Sequence, residues 1–284
     1  PGANDGRGCV VARHTEGGVL SIRWGDGASP VLRCTTKGAA TEVVARAGLK
    51  TLTGLDGVVA DLDSSGKLDL LVVATNHSVQ VFRNLGDGFF QDNTAASGAA
   101  SLSAVEQIVI EDWNDDLVGD LFATRAGAMP ALLTKRRGGA LTATNAPGDW
   151  PVGSLIAVGD LNNDSRNDLV VVGSDRIECV LGHLNQRQMI PTAGRPINHV
   201  YLVDYDNDGW LDILTCGMGV RLWRNFGSAG FHEVTSAVGL DKWRNLGIES
   251  IAFADRDNDC DTDLNCCLAR VGALVARADA ATES

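Results

Sequence analysis

Five times along this chain, two short apolar runs bracket a short acidic stretch. Gly57–Ala60, Ile108–Ile110, Leu155–Val158, Val200–Val203 and Ile251–Ala254 lead in; Leu70–Ala74, Leu121–Ala123, Leu169–Val172, Ile213–Thr215 and Leu264–Leu268 lead out. The runs are too short for helices and rich in Val, Ile and Leu, as strands buried on both faces are. A third run with interleaved polar residues follows, at Val79–Arg83, Ile177–Leu181 and Val220–Arg224. Gly-rich turns such as Asn84-Leu-Gly86-Asp-Gly88 and Asn225-Phe-Gly227-Ser-Ala-Gly230 precede a fourth run, at Phe89–Asp92 and Phe231–Val234. Four strands per unit is the content of a propeller blade. The small polar segments Thr94–Ser101 and Thr235–Leu240 are expected to cross between blades, and a short helix is expected over Thr41–Leu49.

The acidic stretches share the frame D-x-[DN]-x-[DS]-x-x-x-D and start at Asp61, Asp112, Asp160, Asp204 and Asp255, 44 to 51 residues apart. A period of about 40–50 residues marks solenoids, propellers and repeat arrays. In a tight loop alternate residues turn their oxygens inward, so positions 1, 3 and 5 can converge on one hard cation. A carbonyl at position 7 and a carboxylate at position 9 would complete the six to eight oxygens that calcium accepts. The candidate ligands are Asp61, Asp63, Ser65, Lys67 and Asp69 in the first loop and Asp112, Asn114, Asp116, Val118 and Asp120 in the second. They are Asp160, Asn162, Asp164, Arg166 and Asp168 in the third, and Asp204, Asp206, Asp208, Trp210 and Asp212 in the fourth. The fifth offers Asp255, Asp257, Asp259, Asp261 and Asp263.

Gly at position 6 suits a sharp turn with positive φ. The fourth loop, with Asp208-Gly209, fills every slot and ranks first. The second, with Leu117 at position 6, ranks last, and Ser65, Ser165 and Cys260 weaken the others. A decayed copy at Asp5-Gly6-Arg-Gly-Cys9 has Pro1, Ala3 and Cys9 at ligand positions, so no calcium is expected there. A helical EF-hand needs Glu at position 12. Val72, Ala123, Val171, Thr215 and Cys266 stand there instead.

The expectation is therefore an all-β fold, a β-propeller of four-stranded blades with a calcium loop between strands 1 and 2. About six blades are represented, for a six- or seven-bladed ring. It is read as one domain over 1–284, with an incomplete first blade (1–50, lacking its first strand) and an incomplete last blade (245–284).

Net charge is −12, from 24 basic and 36 acidic residues, and nineteen of the acidic residues lie in the five loops. Five bound calcium ions would bring the charge to about −2, so the acidity reads as metal sites. No basic stripe marks a nucleic-acid surface. Lys135, Arg136 and Arg137 form a short basic cluster, read as a solvated loop. No stretch approaches the roughly 18 apolar residues of a membrane span, and no signal peptide is recognisable. The start at Pro1-Gly2, inside the decayed repeat, suggests a processed chain or a fragment. The seven cysteines (Cys9, Cys34, Cys179, Cys216, Cys260, Cys266, Cys267) are an odd number, so at least one has no partner within the chain. A small disulfide around the last loop and burial as small strand residues are both open.

The units "VADLDSSGKLDLLVVA" and "VYLVDYDNDGWLDILTCG", the second with its trailing "VRLWRNFGSAGFHEVTSAVGL", resemble the FG-GAP/VCBS repeat family. That family includes the calcium-loop propellers of integrin α-subunit heads and many secreted bacterial proteins. The trailing unit is similar to repeats often joined to ASPIC/UnbV domains. The resemblance implies calcium held by positions 1, 3, 5, 7 and 9, in up to five sites. It implies less about function, because one fold hosts unrelated activities.

The leading expectation is an extracytoplasmic, non-enzymatic module, secreted, periplasmic or on the cell surface, for protein binding, adhesion or scaffolding, possible also as a subunit of a larger assembly. Millimolar calcium, which weak sites need, is found outside the cytosol. The alternative is a carbohydrate-binding or carbohydrate-active propeller using Trp24, Trp113, Trp150, Trp210, Trp223 and Trp243 as stacking platforms. Catalysis is not expected: His14, His77, His183, His199 and His232 lie in no nucleophile or zinc motif.

Overall fold

A computed structural model describes residues 9–13, 19–23, 31–34, 40–42, 49, 54–86, 89–144, 149–182, 186–254, 263–268 and 273–276. For the strands before residue 49, and for most of those after residue 248, it describes the backbone alone. The chain divides into two compact units, Pro1–Ser154 and Leu155–Ser284.

The first unit opens with β1 (Cys9–Arg13), β2 (Val19–Arg23), β3 (Val31–Cys34) and β4 (Ala40–Glu42), paired in that order. Two full blades follow. One is β5 (Gly54–Ala60), β6 (Asp69–Ala74), β7 (Val79–Gly86) and β8 (Phe89–Asp92). The other is β9 (Val105–Glu111), β10 (Asp120–Arg125), β11 (Ala131–Thr134) and β12 (Thr142–Thr144). The second unit holds β13 (Leu155–Gly159), β14 (Asp168–Val172), β15 (Arg176–Leu181) and β16 (Gln186–Pro191). Its next blade is β17 (Ile197–Val203), β18 (Asp212–Gly217), β19 (Gly219–Asn225) and β20 (Phe231–Glu233). A three-stranded sheet closes it, β21 (Ile248–Ala254), β22 (Asp263–Leu268) and β23 (Ala273–Ala276). Every sheet is an antiparallel meander.

The fold is an all-β propeller architecture with four-stranded blades. Four blades, β5–β20, are described with their side chains, rather than the six or seven expected from the repeat count. The sheets β1–β4 and β21–β23 stand beside this count through backbone pairing alone. The sequence suggested a missing first strand near the start, yet four strands pair there. The helix expected over Thr41–Leu49 begins instead inside β4, and 43–48 lie outside the described residues. The crossing at Thr94–Ser101 is wound into one α-turn (Thr94–Ser97) and a 3-10 turn (Ala99–Ser101).

Register explains the loops. The residue before position 1 pairs with position 9 in each repeat: Ala60 with Asp69, Glu111 with Asp120, Gly159 with Asp168, Val203 with Asp212. Ala254 pairs with Asp263 in the same way. Each acidic loop is thus the connection of a β-hairpin, held between the same two ladder positions.

The second strands are the most buried: every residue of β6, β14 and β18 is buried. Successive side chains point to opposite faces, so Leu71 and Val73 meet Ile108, Leu121, Ala123 and Leu133 of the next blade. In the second unit Val170, Val172, Ile177 and Cys179 pack with Val200, Ile213 and Trp223. A truncation such as Leu71→Ala, at a site with no exposure, costs about 2–5 kcal/mol. The first strands are also bound together: Asp56 Oδ2 of β5 accepts from Ile108 N of β9 at 3.0 Å.

Candidate metal centre

The loop shape comes from its own side chains. At position 1, both oxygens accept amides from positions 5 and 6. Asp204 Oδ1 takes Asp208 N at 3.0 Å and Oδ2 takes Gly209 N at 2.9 Å. Asp61, Asp112 and Asp160 do the same for Ser65 and Gly66, Asp116 and Leu117, and Asp164 and Ser165. At position 5, Asp116, Asp164 and Asp208 accept the amide of position 7, which is Val118, Arg166 or Trp210. Lys67, at position 7 of the first loop, sends its Nζ to Leu85 O at 3.1 Å. The winding forces position 4 into left-handed backbone in all four loops, with φ 57° at Ser64, 58° at Asp115, 55° at Asn163 and 55° at Asn207. Position 6 is left-handed too, where Gly209 sits without strain and Leu117 (φ 65°) does not.

Position 9 has a structural role that the spacing did not announce. Asp69, Asp120, Asp168 and Asp212 are buried at the start of the second strand. One oxygen accepts the amide of position 2: Leu62 N 3.2 Å, Trp113 N 3.2 Å, Leu161 N 2.9 Å, Tyr205 N 3.1 Å. The other accepts a third-strand or turn amide: Asn84 N 2.8 Å, Lys135 N 2.7 Å, Gly182 N 2.8 Å, Asn225 N 2.8 Å. Each carboxylate therefore clamps its loop to the strand beyond. Burial pushes Asp69 and Asp212 up to about 6 against the pull of those amides. It raises Asp120 and Asp168 for the same reason.

Two loops gather carboxylates tightly. Among the described residues, Asp61, Asp63 and Asp69 form one group, and Asp204, Asp206 and Asp208 another. Each residue contributes an oxygen within 4.8 Å of the other two. The second and third loops place Asn114 and Asn162 at position 3, where an amide oxygen accepts Asp116 N or Asp164 N at 3.0 Å. The fifth loop, 255–262, lies outside the described residues; of its candidates only Asp263 is placed, by its backbone, at the head of β22.

The two tight groups also hold arginines that the sequence reading passed over. Arg83 Nε lies 2.5 Å from Asp63 Oδ2. Arg224 Nη2 lies 2.7 Å from Asp206 Oδ2 and 3.0 Å from Asp208 Oδ2. Burial raises the Asp63 carboxyl, but Ser65 and Arg83 outweigh it and hold it below its ordinary value. Arg224 and the Trp210 amide do the same at Asp208. At Asp206 burial wins over Arg224, and the carboxyl is raised. Asp206 Oδ1 is buried with no hydrogen-bond partner, and Asp63 Oδ2, despite its ion pair, has none of hydrogen-bond geometry. An all-oxygen donor set with the buried Asp206 Oδ1 left unsatisfied fits a hard cation. The neighbouring asparagines brace the same loops. Asn84 Nδ2 donates to Leu68 O at 2.9 Å, and Asn225 Nδ2 donates to Leu161 O at 2.8 Å and Leu211 O at 3.1 Å. Both arginines open the string R-N-x-G, at Arg83–Gly86 and Arg224–Gly227, but Arg244–Gly247 carries it too, with Arg244 paired to Glu233 and Asp241, so the string alone does not mark the site.

Several of the described tryptophans take part in packing. Trp150, Trp223 and Trp243 are buried. Trp113 meets Phe122 and Trp150 edge-on, and the Trp210 ring covers Gly227. Trp24, His14 and His183 lie outside the described residues. His77 Nδ1 contacts Val105 O and His232 Nε2 contacts Ala229 O. His199 stacks on Tyr201. Lys135 departs from the solvated loop expected: it is buried, with its Nζ bonded to Gly139 O, while Arg136 and Arg137 are exposed. Cys179 and Cys216 are buried, and the side chains of the other five cysteines lie outside the described residues. No helix among the described residues is long and apolar enough to cross a membrane.

The FG-GAP-like repeat matches this chain over 61–123, 160–215 and 204–264. Each match starts at position 1 of an acidic loop and ends in the second strand of the next repeat. No curated protein matches the chain. Among solved structures it is similar to a triple mutant of AofleA from Arthrobotrys oligospora, at 12% identity and TM-score 0.61, over 96% of this chain and 83% of that one. It is also similar to BBS1N in a complex with ARL6DN, soaked with lead, at 10% identity and TM-score 0.50, over 97% and 92%. At such identities the likeness speaks for the fold alone.

Proposed function

This chain belongs to the FG-GAP-like repeat family, and from that premise we propose that it is a calcium-braced, non-enzymatic binding or scaffold module that works outside the cytosol. The observation that carries the reading is the convergence of Asp204, Asp206 and Asp208, with a buried Asp206 oxygen left unsatisfied. Asp204, Asp206 and Asp208, with the carbonyl of Trp210 and with Asp212, would hold an ion in the fourth loop. Asp61, Asp63, Ser65 and Asp69, with the carbonyl of Lys67, would hold one in the first. Bound calcium supplies positive charge that offsets carboxylate repulsion and ties positions 1 to 9 together. The loops with Asn114 and Asn162 would bind through fewer charges, and the fifth loop, the richest in Asp, brings the possible total to five.

The chain's own residues then present a rigid platform. Hairpin loops clamped at both ends place the exposed loop faces at fixed positions for a protein partner. Weak loops of this kind fill where calcium is millimolar, which supports a site of action outside the cytosol. Metal analysis of the purified chain, with thermal melts in calcium and in excess chelator, tests the reading. Several calcium ions per chain and a melting temperature lowered by chelation are expected. A metal-free chain with superimposable melts would sink it.

A further inference from the structure

The acidic loops fall into two classes through a residue outside them. Strand pairing aligns the third strands: Leu70 pairs with Phe82, Leu121 with Leu133, Leu169 with Val180 and Ile213 with Trp223. The next residue in each third strand, beside the position-9 clamp, is Arg83, Thr134, Leu181 or Arg224. Position 3 of the corresponding loops is Asp63, Asn114, Asn162 or Asp206. Arginine accompanies aspartate, and an uncharged residue accompanies asparagine. The fifth copy keeps the rule in sequence: Leu264 pairs with Ala276, the next residue is Arg277, and position 3 is Asp257.

The arginines cover the oxygens a cation would use. Asp63 Oδ1 accepts Ser65 N at 3.1 Å and Oδ2 faces Arg83. Asp208 Oδ1 accepts Trp210 N and Oδ2 accepts Arg224 Nη2. Asp63 Oδ2, Asp206 Oδ2 and Asp208 Oδ2 each face a guanidinium, and at these positions only Asp206 Oδ1 stays open to a cation while the arginines are in place. A guanidinium stays charged at any ordinary pH, so only another cation can replace it. Both side chains also have somewhere to go. Arg83 lines a cavity of about 380 Å³, and Arg224 already rests 4.9 Å over the Phe226 ring.

We propose that Arg83 and Arg224 are exchangeable counter-ions: each neutralises its loop when the loop is empty and is displaced when a divalent cation enters. This rests on the calcium reading above and adds to it a division of labour. The first and fourth loops keep their shape without metal and bind it against a competitor inside the chain. The second and third bind without displacing anything.

The test is Arg224→Gln, with Arg83→Gln as a second variant should the first fail to fold, studied by calcium calorimetry and by melts in chelator and in saturating calcium. Loss of the internal competitor should tighten the affected calcium site about two- to fivefold, the worth of a partly exposed ion pair. The variant should melt below the parent chain in chelator, and the gap should shrink in calcium. Calcium binding by the parent chain with unchanged or weaker binding by the variants would overturn the exchange and leave the calcium reading standing, the arginine then acting as a fixed support. A parent chain that binds no calcium would overturn both.

Discussion

In β9–β12 and β17–β20 the acidic loop spans the same ladder positions, carries the same left-handed fourth residue (Asp115, Asn207) and ends on the same buried clamp (Asp120, Asp212). Their chemistry differs. The fourth loop gathers three carboxylates and an arginine, while the second has Asn114, no arginine and Leu117 at the turn. A common backbone with unequal side chains separates two tasks that one motif seemed to combine. Positions 1 and 9 shape the loop through amides. Positions 3 and 5 also accept loop amides, but they, with the third-strand residue, are where the charges of the two loops differ.

The clamp is where the two blades should behave alike. Asp212→Ala strands the amides of Tyr205 and Asn225, and Asp120→Ala those of Trp113 and Lys135. Each should lose about 2–5 kcal/mol in denaturant unfolding, since a buried donor without a partner costs about 1–3 kcal/mol. A large loss in one blade and a small loss in the other would break the comparison.

Next comes pH. Asp212 is raised to about 6 by burial, Asp56 likewise, and Asp120 is raised too. The folded chain therefore holds these protons more tightly than the unfolded chain, in which a carboxyl titrates near its ordinary value. The stability they contribute is complete below that value and is lost as pH rises through about 6. Metal-free protein should melt at a lower temperature at pH 7 than at pH 5. Asp212→Asn or Asp56→Asn should flatten the difference, and an unchanged slope in both variants would refute the assignment.

The smallest expected effect sharpens the contrast at position 6. Leu117 is 88% exposed and held at φ 65°, so Leu117→Gly should gain about 1 kcal/mol by relieving the strain of left-handed loop backbone in a non-glycine residue. The reciprocal Gly209→Leu should lose a similar amount. Equilibrium unfolding of the pair measures both, and equal signs would show that φ is not the controlling variable.

Much of this was legible in the chain. The apolar runs around Asp61, Asp112, Asp160 and Asp204 gave the hairpins, because short strands buried on both faces have little freedom in composition. The clamp was not legible, because an Asp counted as a ligand and an Asp that caps two strands occupy the same ninth place. Arg83 and Arg224 were hidden by distance: strand pairing, not sequence spacing, brings them to Asp63 and Asp206. A blade over 1–50 is legible in sequence only without its first strand, yet four strands pair there, because backbone pairing survives the loss of the acidic marker. Lys135 reads as solvent-facing from its basic neighbours, yet its ammonium finds a carbonyl at Gly139.

The Asn225 carboxamide holds Leu211 O of its own hairpin and Leu161 O of the preceding one, while Asn163 Nδ2 reaches Gly209 O at 3.2 Å in return. Opening the 160–168 hairpin alone takes a buried acceptor from Asn225, and opening 204–212 alone breaks the exposed Asn163 contact. Native-state hydrogen exchange should therefore show the amides of 160–168 and 204–212 opening as one cooperative event. A fragment cut between β16 and β17 would end in two frayed edges rather than two intact modules.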